Sequence, residues 1–341
     1  MARWSLPLSL MLATGLCSAS SSSAKDQLLS LITEVTAANG VVYGARDSLG
    51  QSMDTAKIIQ TLEDDYLALY HTLLPADNQF HASIATSTDL RTFSWAAGFG
   101  VGTSQPTIFA VNDGRAGYVV AWEQEPANHI AVRYFPDRAH LLAANATRAF
   151  DAPQTLSPCA EGTPSIYTVE LRPDIDHSFI DIGGHYFRDC KVDRQQRGTL
   201  TDFTRWVTEP KPDVDAAIEA WGVAGNIGDR DPLLGFGVDE GERFRFQVIE
   251  GQFTFGDFGS WRTYLYDFST GAAVRVNVIT AGGSTAFANP SISRITSPQG
   301  EEAIVVGLFL PSEGAAPGEA GQLIYYRVLS EVHGALVLEL Q

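Results

Sequence analysis

Asp54-Thr55-Ala56-Lys57-Ile58 opens a pattern that recurs as Gln105-Pro106-Thr107-Ile108-Phe109, Glu161-Gly162-Thr163-Pro164-Ser165-Ile166, Gly225-Asn226-Ile227-Gly228-Asp229 and Asn289-Pro290-Ser291-Ile292. Each segment starts with a polar or small residue, often with Pro close behind, and leads into an apolar strand. Measured from Asp54, Gln105, Glu161, Asn226 and Asn289, the spacing is roughly 50 to 65 residues, the signature of a repeat array. Within a unit, a Gly or acidic turn such as Asn112-Asp113-Gly114 or Gln299-Gly300 leads to a second apolar strand. A third strand then carries aromatics, as in Phe80 to Thr86, His129 to Phe135, Trp261 to Phe268 and Gln322 to Val328. One such sheet cannot bury both of its faces alone, whereas radial packing of several does so and leaves only short protected edges. The expected fold is all-β, a five-bladed β-propeller, with the residues after Asn289 completing the fifth unit.

Helical periodicity is confined to two places. Leu28, Leu29, Ile32 and Val35 follow Asp26 at helical spacing, with a stop expected at Asn39-Gly40. A second helix is expected from Asp213 to Trp221, with Asp213 as its N-cap after Pro212. Ahead of both, Arg3 precedes an apolar run from Leu6 to Leu16 and small residues around Cys17, Ser18 and Ala19, the pattern of a secretory signal peptide. The run is shorter than the roughly 20 residues a membrane helix needs. The expected organisation is a signal peptide over residues 1–24, cleaved near Ala19 or Ala24, and a single domain over residues 25–341, secreted and extracellular.

Secretion gives the remaining cysteines, Cys159 and Cys190, an oxidising compartment in which to form a disulfide, and makes the sequon at Asn145 a glycosylation site. The formal net charge of −17 argues against nucleic acid or an anionic membrane as partner and disfavours acidic polysaccharides. Neutral glycans remain, and a monomer is expected. No zinc spacing, phosphate-binding loop or nucleophile elbow appears, so no metal ligands and no cofactor are assigned; a structural calcium is left open.

In a propeller the innermost strands begin around a central funnel, so residues far apart in sequence converge there. Asp54, Glu161 and Asp229 are therefore the candidate catalytic carboxylates, since glycoside hydrolysis by direct water attack needs one carboxylate and one carboxylic acid about 6.5 to 9.5 Å apart. Asp47 is an alternative to Asp54, and each also has an ordinary reading as a turn or loop residue; Asp231, before Pro232, reads as a turn residue. Gln105, Asn226, Arg230 and Asn289 are candidate sugar-binding groups at the same level, joined by His71 and His185 at strand ends. Trp95, Trp122, Trp206, Trp221 and Trp261 offer sugar-stacking faces, although wedging between blades is the commoner role for tryptophan here.

Asp54 to Ile59 followed by Tyr66 to Thr72, and then Ile84-Ala85-Thr86-Ser87-Thr88-Asp89-Leu90 with Trp95, resemble the opening blade of the five-bladed hydrolase superfamily. That group includes glycoside hydrolase families 43 and 62 and the arabinanase, levansucrase, levanase and invertase types. Glu161-Gly162-Thr163-Pro164 is similar to the family's Glu-Gly-Pro around its acid, a motif that normally sits one blade later. The family's Asp before the third inner strand is replaced by Glu161, and its last-blade His by Asn289 or its neighbours. The resemblance implies hydrolysis of arabinose- or xylose-containing polymers, with Asp54 in the base-like position and the acid either Glu161 or Asp229. The rival readings are a lectin-like propeller that binds glycans without cleaving them, and a polysaccharide lyase using His71, His185 or Tyr186.

Overall fold

The computed structural model describes residues 23–238 and 242–329, with the side chain of Asp229 excepted; the residues read as a signal peptide lie outside this range except for Ser23 and Ala24. The described chain begins with helix α1 (Ala24–Thr33) and strand β1 (Gly40–Val42). Blade I is β2 (Asp54–Gln60), β3 (Tyr66–Leu74), β4 (Gln79–Ser87) and β5 (Ser94–Val101). Blade II is β6 (Thr103–Ala110), β7 (Tyr118–Gln124), β8 (His129–Phe135) and β9 (Arg148–Asp151), with helix α2 (Arg138–Leu142) before its last strand. Blade III is β10 (Glu161–Leu171), β11 (Ser178–Arg188), β12 (Val192–Thr201) and β13 (Arg205–Pro210), and helix α3 (Pro212–Glu219) follows it. Blade IV is β14 (Ile227–Leu234), β15 (Phe244–Gln252), β16 (Trp261–Asp267) and β17 (Ala272–Val276). The last sheet contains β18 (Ala288–Thr296), β19 (Glu302–Leu310) and β20 (Gly321–Val328). The first strands touch in a closed circle, β2 to β6 to β10 to β14 to β18 and back to β2. The chain folds as a five-bladed propeller.

Blade V corrects one expectation. The residues after Asn289 supply only three of its strands, and β1 adds the fourth by pairing antiparallel with the outer edge of β20. That pairing sets Gly40 opposite Tyr326, where a Cβ would fall 2.4 Å from the tyrosine ring, so only glycine lets the strand lie this close. Closure by the N-terminal strand removes an exposed edge that would invite aggregation. Next to it, α1 presents Leu28, Leu31 and Ile32 to Phe246, Leu308 and Tyr325 in one buried cluster spanning blades IV and V. The helix stops at Thr33 rather than Asn39, and a short turn over Val35–Ala37 carries the chain into β1. In α3 the N-cap is Lys211, with Pro212 at the first helical position; Asp213 sits in the first turn, where its charge favours the helix dipole.

Every first strand breaks register at the same level. The pairing skips between Asp54 and Lys57, Ser104 and Thr107, Gly162 and Ser165, Gly228 and Asp231, and Ala288 and Ser291. Thr55, Gln105, Thr163 and Asn289 open four of these bulges with left-handed backbones, at φ 61°, 51°, 48° and 49°. Asp229 holds the corresponding place in β14. This alignment corrects the repeat markers: Gln105 and Asn289 are equivalent, but Asp54, Glu161 and Asn226 precede their bulge residues. Asp231 is likewise a strand residue rather than a turn residue.

Because Leu31 lies wholly inside the α1 cluster, Leu31→Ala is expected to cost about 2–5 kcal/mol. A urea midpoint indistinguishable from wild type would show that α1 is not part of the cooperative unit.

Candidate functional site

Opposite the residue that begins each bulge, the second strand of the blade places one side chain at the funnel. The five are His71, Glu123, His185, Glu250 and Phe309, paired with Asp54, Ser104, Gly162, Gly228 and Ala288. Three of them reach into the next blade. The Gln105 N–H donates to His71 Nδ1 at 2.9 Å, the Thr163 N–H to Glu123 Oε2 at 3.0 Å, and the Asn289 N–H to Glu250 Oε2 at 2.5 Å. Each tie satisfies a backbone donor that the bulge has taken out of its own ladder. Small residues beside the bulge make room for it, since a Cβ on Gly162 or Gly228 would collide with Glu123 or Glu250.

Above this level lies a cavity of about 370 Å³, a size suited to small ligands. Arg230 crosses it: the guanidinium pairs with Glu250 Oε1 at 2.9 Å and donates twice to Gln105 Oε1 in blade II, also at 2.9 Å. Nearer the far end of the channel, Lys57 pairs with Asp231, the Lys57 ammonium also donates to the Ile292 carbonyl at 2.9 Å, and the Ile292 N–H donates to Asp231 Oδ2 at 2.8 Å. Burial pushes the Asp231 carboxyl above its usual range, with Lys57 opposing the shift. These groups knit blades I, IV and V across the axis.

On the blade III side, His185 Nε2 lies 3.6 Å from Asp193 Oδ1, and the Asp193 N–H donates to Asn226 Oδ1 at 2.9 Å. The wall here is stapled by the disulfide between Cys159 and Cys190, with Cα atoms 5.6 Å apart. Phe187, Phe258, Trp261 and Phe309 give the cavity its apolar surfaces.

The structure gathers most of the sequence-derived binding candidates. Gln105, His185, Asn226, Arg230 and Asn289 all line the cavity, and His71 lines an adjoining cleft that shares Gln105 and Glu123 with it. The carboxylates fall out differently. Glu161 is buried, and its Oε1 accepts the N–H groups of Thr155, Leu156 and Ser157 at 2.5, 2.5 and 3.0 Å, so it organises the loop behind the cavity wall instead of facing the cavity. Its neighbour Gly162 pairs with cavity-lining His185, and strand alternation turns Glu161 to the opposite face. Asp54 shares a face with His71 but is not in the cavity lining; burial raises its pKa, while a 3.1 Å hydrogen bond from Ser52 works against the shift. Asp47 is buried and accepts from the Tyr70 hydroxyl at 2.6 Å and from the Leu49 and Gln51 N–H groups. The side chain of Asp229 lies outside the described residues.

Sequence reasoning missed the carboxylates that do line the cavity: Glu123, Asp193 and Glu250, from blades II, III and IV. Their signal was faint. Glu123 and Glu250 directly follow the apolar runs ending in Trp122 and Ile249, at the register of His71 and His185. Among the described tryptophans, Trp261 alone lines the cavity; Trp122 is wedged against Phe99, and Trp206 covers Gly198. Asn145 is exposed beyond α2, and among the described residues no helix is long and apolar enough to cross a membrane.

No protein-family model and no curated protein matches the chain. Solved structures are similar to it. A GH62 hydrolase in complex with xylotriose is 11% identical, with a TM-score of 0.48 over 87% of this chain and 97% of that one. An α-L-arabinofuranosidase from Fusarium graminearum is 11% identical, with a TM-score of 0.46 over 86% and 99%. An α-L-arabinanase from Penicillium chrysogenum complexed with arabinobiose is 12% identical, with a TM-score of 0.43 over 86% and 99%. These likenesses concern the course of the chain; the assignment of five blades rests on the sheet order itself.

Two consequences can be measured. Burial and the nearby Arg230 charge push His71 down to about 3, from about 6.5 in an unfolded chain. The unfolded chain therefore takes up the proton first, so stability present above pH 6.5 is lost as pH falls towards 3. The thermal midpoint should drop across that window and drop less in His71→Gln; a His71 NMR resonance titrating near 6.5 in the folded protein contradicts this. Glu161→Ala leaves the buried Ser157 N–H and the more exposed Thr155 and Leu156 N–H groups without their acceptor, and its stability should fall by about 1–3 kcal/mol in denaturant titrations.

Proposed function

We infer that the protein is a secreted glycoside hydrolase that cleaves a neutral glycan in the central cavity. The observation that carries this reading is the convergence of Glu123, Asp193 and Glu250, from three blades, on one cavity with aromatic walls. Hydrolysis of a sugar–oxygen bond needs a proton donor for the leaving oxygen and a carboxylate that activates water or stabilises the developing positive charge. Glu250 is ion-paired with Arg230 and bound by the Asn289 N–H, which fixes it as a charge-stabilising group. Glu123 and Asp193 are then the acid/base pair. Arg230, Gln105, Asn226 and Asn289 supply hydrogen bonds for hydroxyls, and Phe258 and Trp261 supply faces for the C–H side of a sugar ring. Arabinose- and xylose-containing polymers are the first substrates to test, following the resemblance of the blade I sequence, and secretion follows from the N-terminal segment.

A second reading is favoured by one specific feature. Glu123 and Glu250 both serve as inter-blade ties, and a cavity whose carboxylates are all structural would bind glycans without cleaving them.

The test is sugar release from arabinan and xylan by wild type, Glu123→Gln and Asp193→Asn. Each substitution should lower kcat by about 100- to 10,000-fold, with the thermal midpoint kept within a few degrees. Asp54→Asn, outside the cavity lining, should lose less than about tenfold. Glycan binding by wild type without any release would move the assignment to the lectin reading, and neither binding nor release would end both.

A further inference from the structure

We propose that the site holds an extended glycan chain, running from a cleft beside blades I and II, over Glu123 and Arg230, to an aromatic platform on blade IV. The inference rests on the carbohydrate reading of the cavity and adds to it the form of the substrate: several consecutive sugar units rather than one terminal residue.

The first observation is that the cavity does not end at blade II. Gln105 and Glu123 belong both to its lining and to that of an adjoining cleft of about 750 Å³, whose walls include His71, Leu73, Phe80 and Val101. Glu123 thus stands on the saddle between the two spaces. A site for a single terminal sugar would be closed on this side. Here the cleft continues the same surface outward, with Phe80 40% exposed on its wall.

The second observation lies on the blade IV side. The loop between β15 and β16 exposes two phenylalanines, Phe255 at 56% and Phe258 at 54%, and Phe258 also lines the cavity. Exposed large apolar side chains are unremarkable when scattered and mobile. These two sit on a loop held by a dense set of local bonds. The Ser260 hydroxyl donates to the Thr254 and Asp257 carbonyls at 3.1 and 2.7 Å and accepts from the Thr254 N–H. The Gln252 side chain binds the Asp257 carbonyl and the Gly256 N–H at 3.1 and 3.0 Å, and the Gly259 N–H donates to Asp257 Oδ1 at 2.9 Å. A loop so organised does not need its phenylalanines for its own core. It presents Phe258, already ordered, in the cavity lining with Trp261 and holds Phe255 exposed on the same loop, and aromatic faces ordered before binding spare much of the entropy that binding otherwise costs. Sugar rings, with apolar C–H faces and hydroxyl rims, match such faces beside the polar cavity.

The two ends lie on one side of the ring, because the cleft, the cavity and the platform are all built at the ends of second strands, at or beyond the level of His71, Glu123 and Glu250. A chain lying across them crosses Glu123 and Arg230 in its middle.

The experiment measures binding by calorimetry, independently of cleavage, using neutral arabino- and xylo-oligosaccharides of one and five units. Affinity of wild type should rise at least tenfold from one unit to five. Phe255→Ala, outside the cavity lining, should erode that gain by about two- to tenfold, with single-sugar binding unchanged within twofold, and Phe255→Tyr should restore it. Phe80→Ala should erode the gain from the other end. Affinity independent of chain length, or a Phe255→Ala loss equal for one unit and for five, overturns the extended-chain proposal and leaves the carbohydrate reading standing. Wild type that binds neither length removes that reading and this proposal together.

Discussion

One recurring hydrogen bond underlies both the ring and the site: a backbone N–H at the bulge of one blade donating to a side chain on the second strand of the blade before it. The bulge needs this partner. A non-glycine residue with a left-handed backbone costs of the order of 1–2 kcal/mol, and a buried N–H left unpaired costs a further 1–3 kcal/mol. The tie removes the second cost and holds the first in place. It also specifies which blade neighbours which, because an acceptor must be set at one register position in the preceding sheet. Between blades V and I that position carries Phe309, which has no acceptor. The seam is bonded instead through Gln322, which accepts from the Ala56 N–H at 3.4 Å, and Ser291, whose hydroxyl donates to the Ala56 carbonyl at 2.6 Å.

The polar character of the funnel follows from the same constraint. Where a bulge is tied in this way an acceptor lines the axis, as at His71, Glu123 and Glu250, and those acceptors then border the space the bulges leave. Arg230 answers Glu250, one of these acceptors, and Lys57 answers Asp231 on the first strand of blade IV; both cations are buried. Such buried pairs contribute little net stability, since desolvation offsets their attraction, but losing one partner strands the other at a cost of about 3–5 kcal/mol. Their structural effect is specificity of assembly: Lys57 joins blade I to blades IV and V, and Arg230 joins blade IV to blade II.

The blade number was legible because a propeller repeats its burial problem. Each unit needs an apolar second strand, such as Tyr66 to Tyr70 or Ile304 to Phe309, and such runs stand out between Gly, Asn and Asp turns. The level of the funnel was legible where the bulge residue is itself polar and followed by Pro, at Gln105 and Asn289. It was misread where another polar residue lies nearby in sequence, at Asp54, Glu161 and Asn226. A shift of one residue turns a strand side chain to the other face. Glu161 shows the consequence: beside Gly162, which pairs with cavity-lining His185, it faces away from the funnel. Glu123 and Glu250 were hidden for a different reason. Their place is defined by pairing across a bulge, and one strand read alone does not reveal its register.

The site therefore divides according to what the scaffold asks of each carboxylate. Glu250 has both oxygens engaged, one by Arg230 and one by the Asn289 N–H, and its position is fixed by two blades. Asp193 is held through its backbone, its own N–H donating to Asn226 just ahead of blade IV, while its carboxylate only approaches His185, on a wall held by the Cys159–Cys190 disulfide. Glu123 stands between these cases, bonded through Oε2 to Thr163 and only partly buried at the cavity's boundary with the cleft. A group fixed by the ring gives electrostatic preorganisation, which needs no movement during reaction. A group that exchanges a proton with substrate needs access and a changeable charge. Asp193 and Glu123 meet that second requirement better than Glu250, because removing or neutralising Glu250 would unpair Arg230 and the bulge of blade V together.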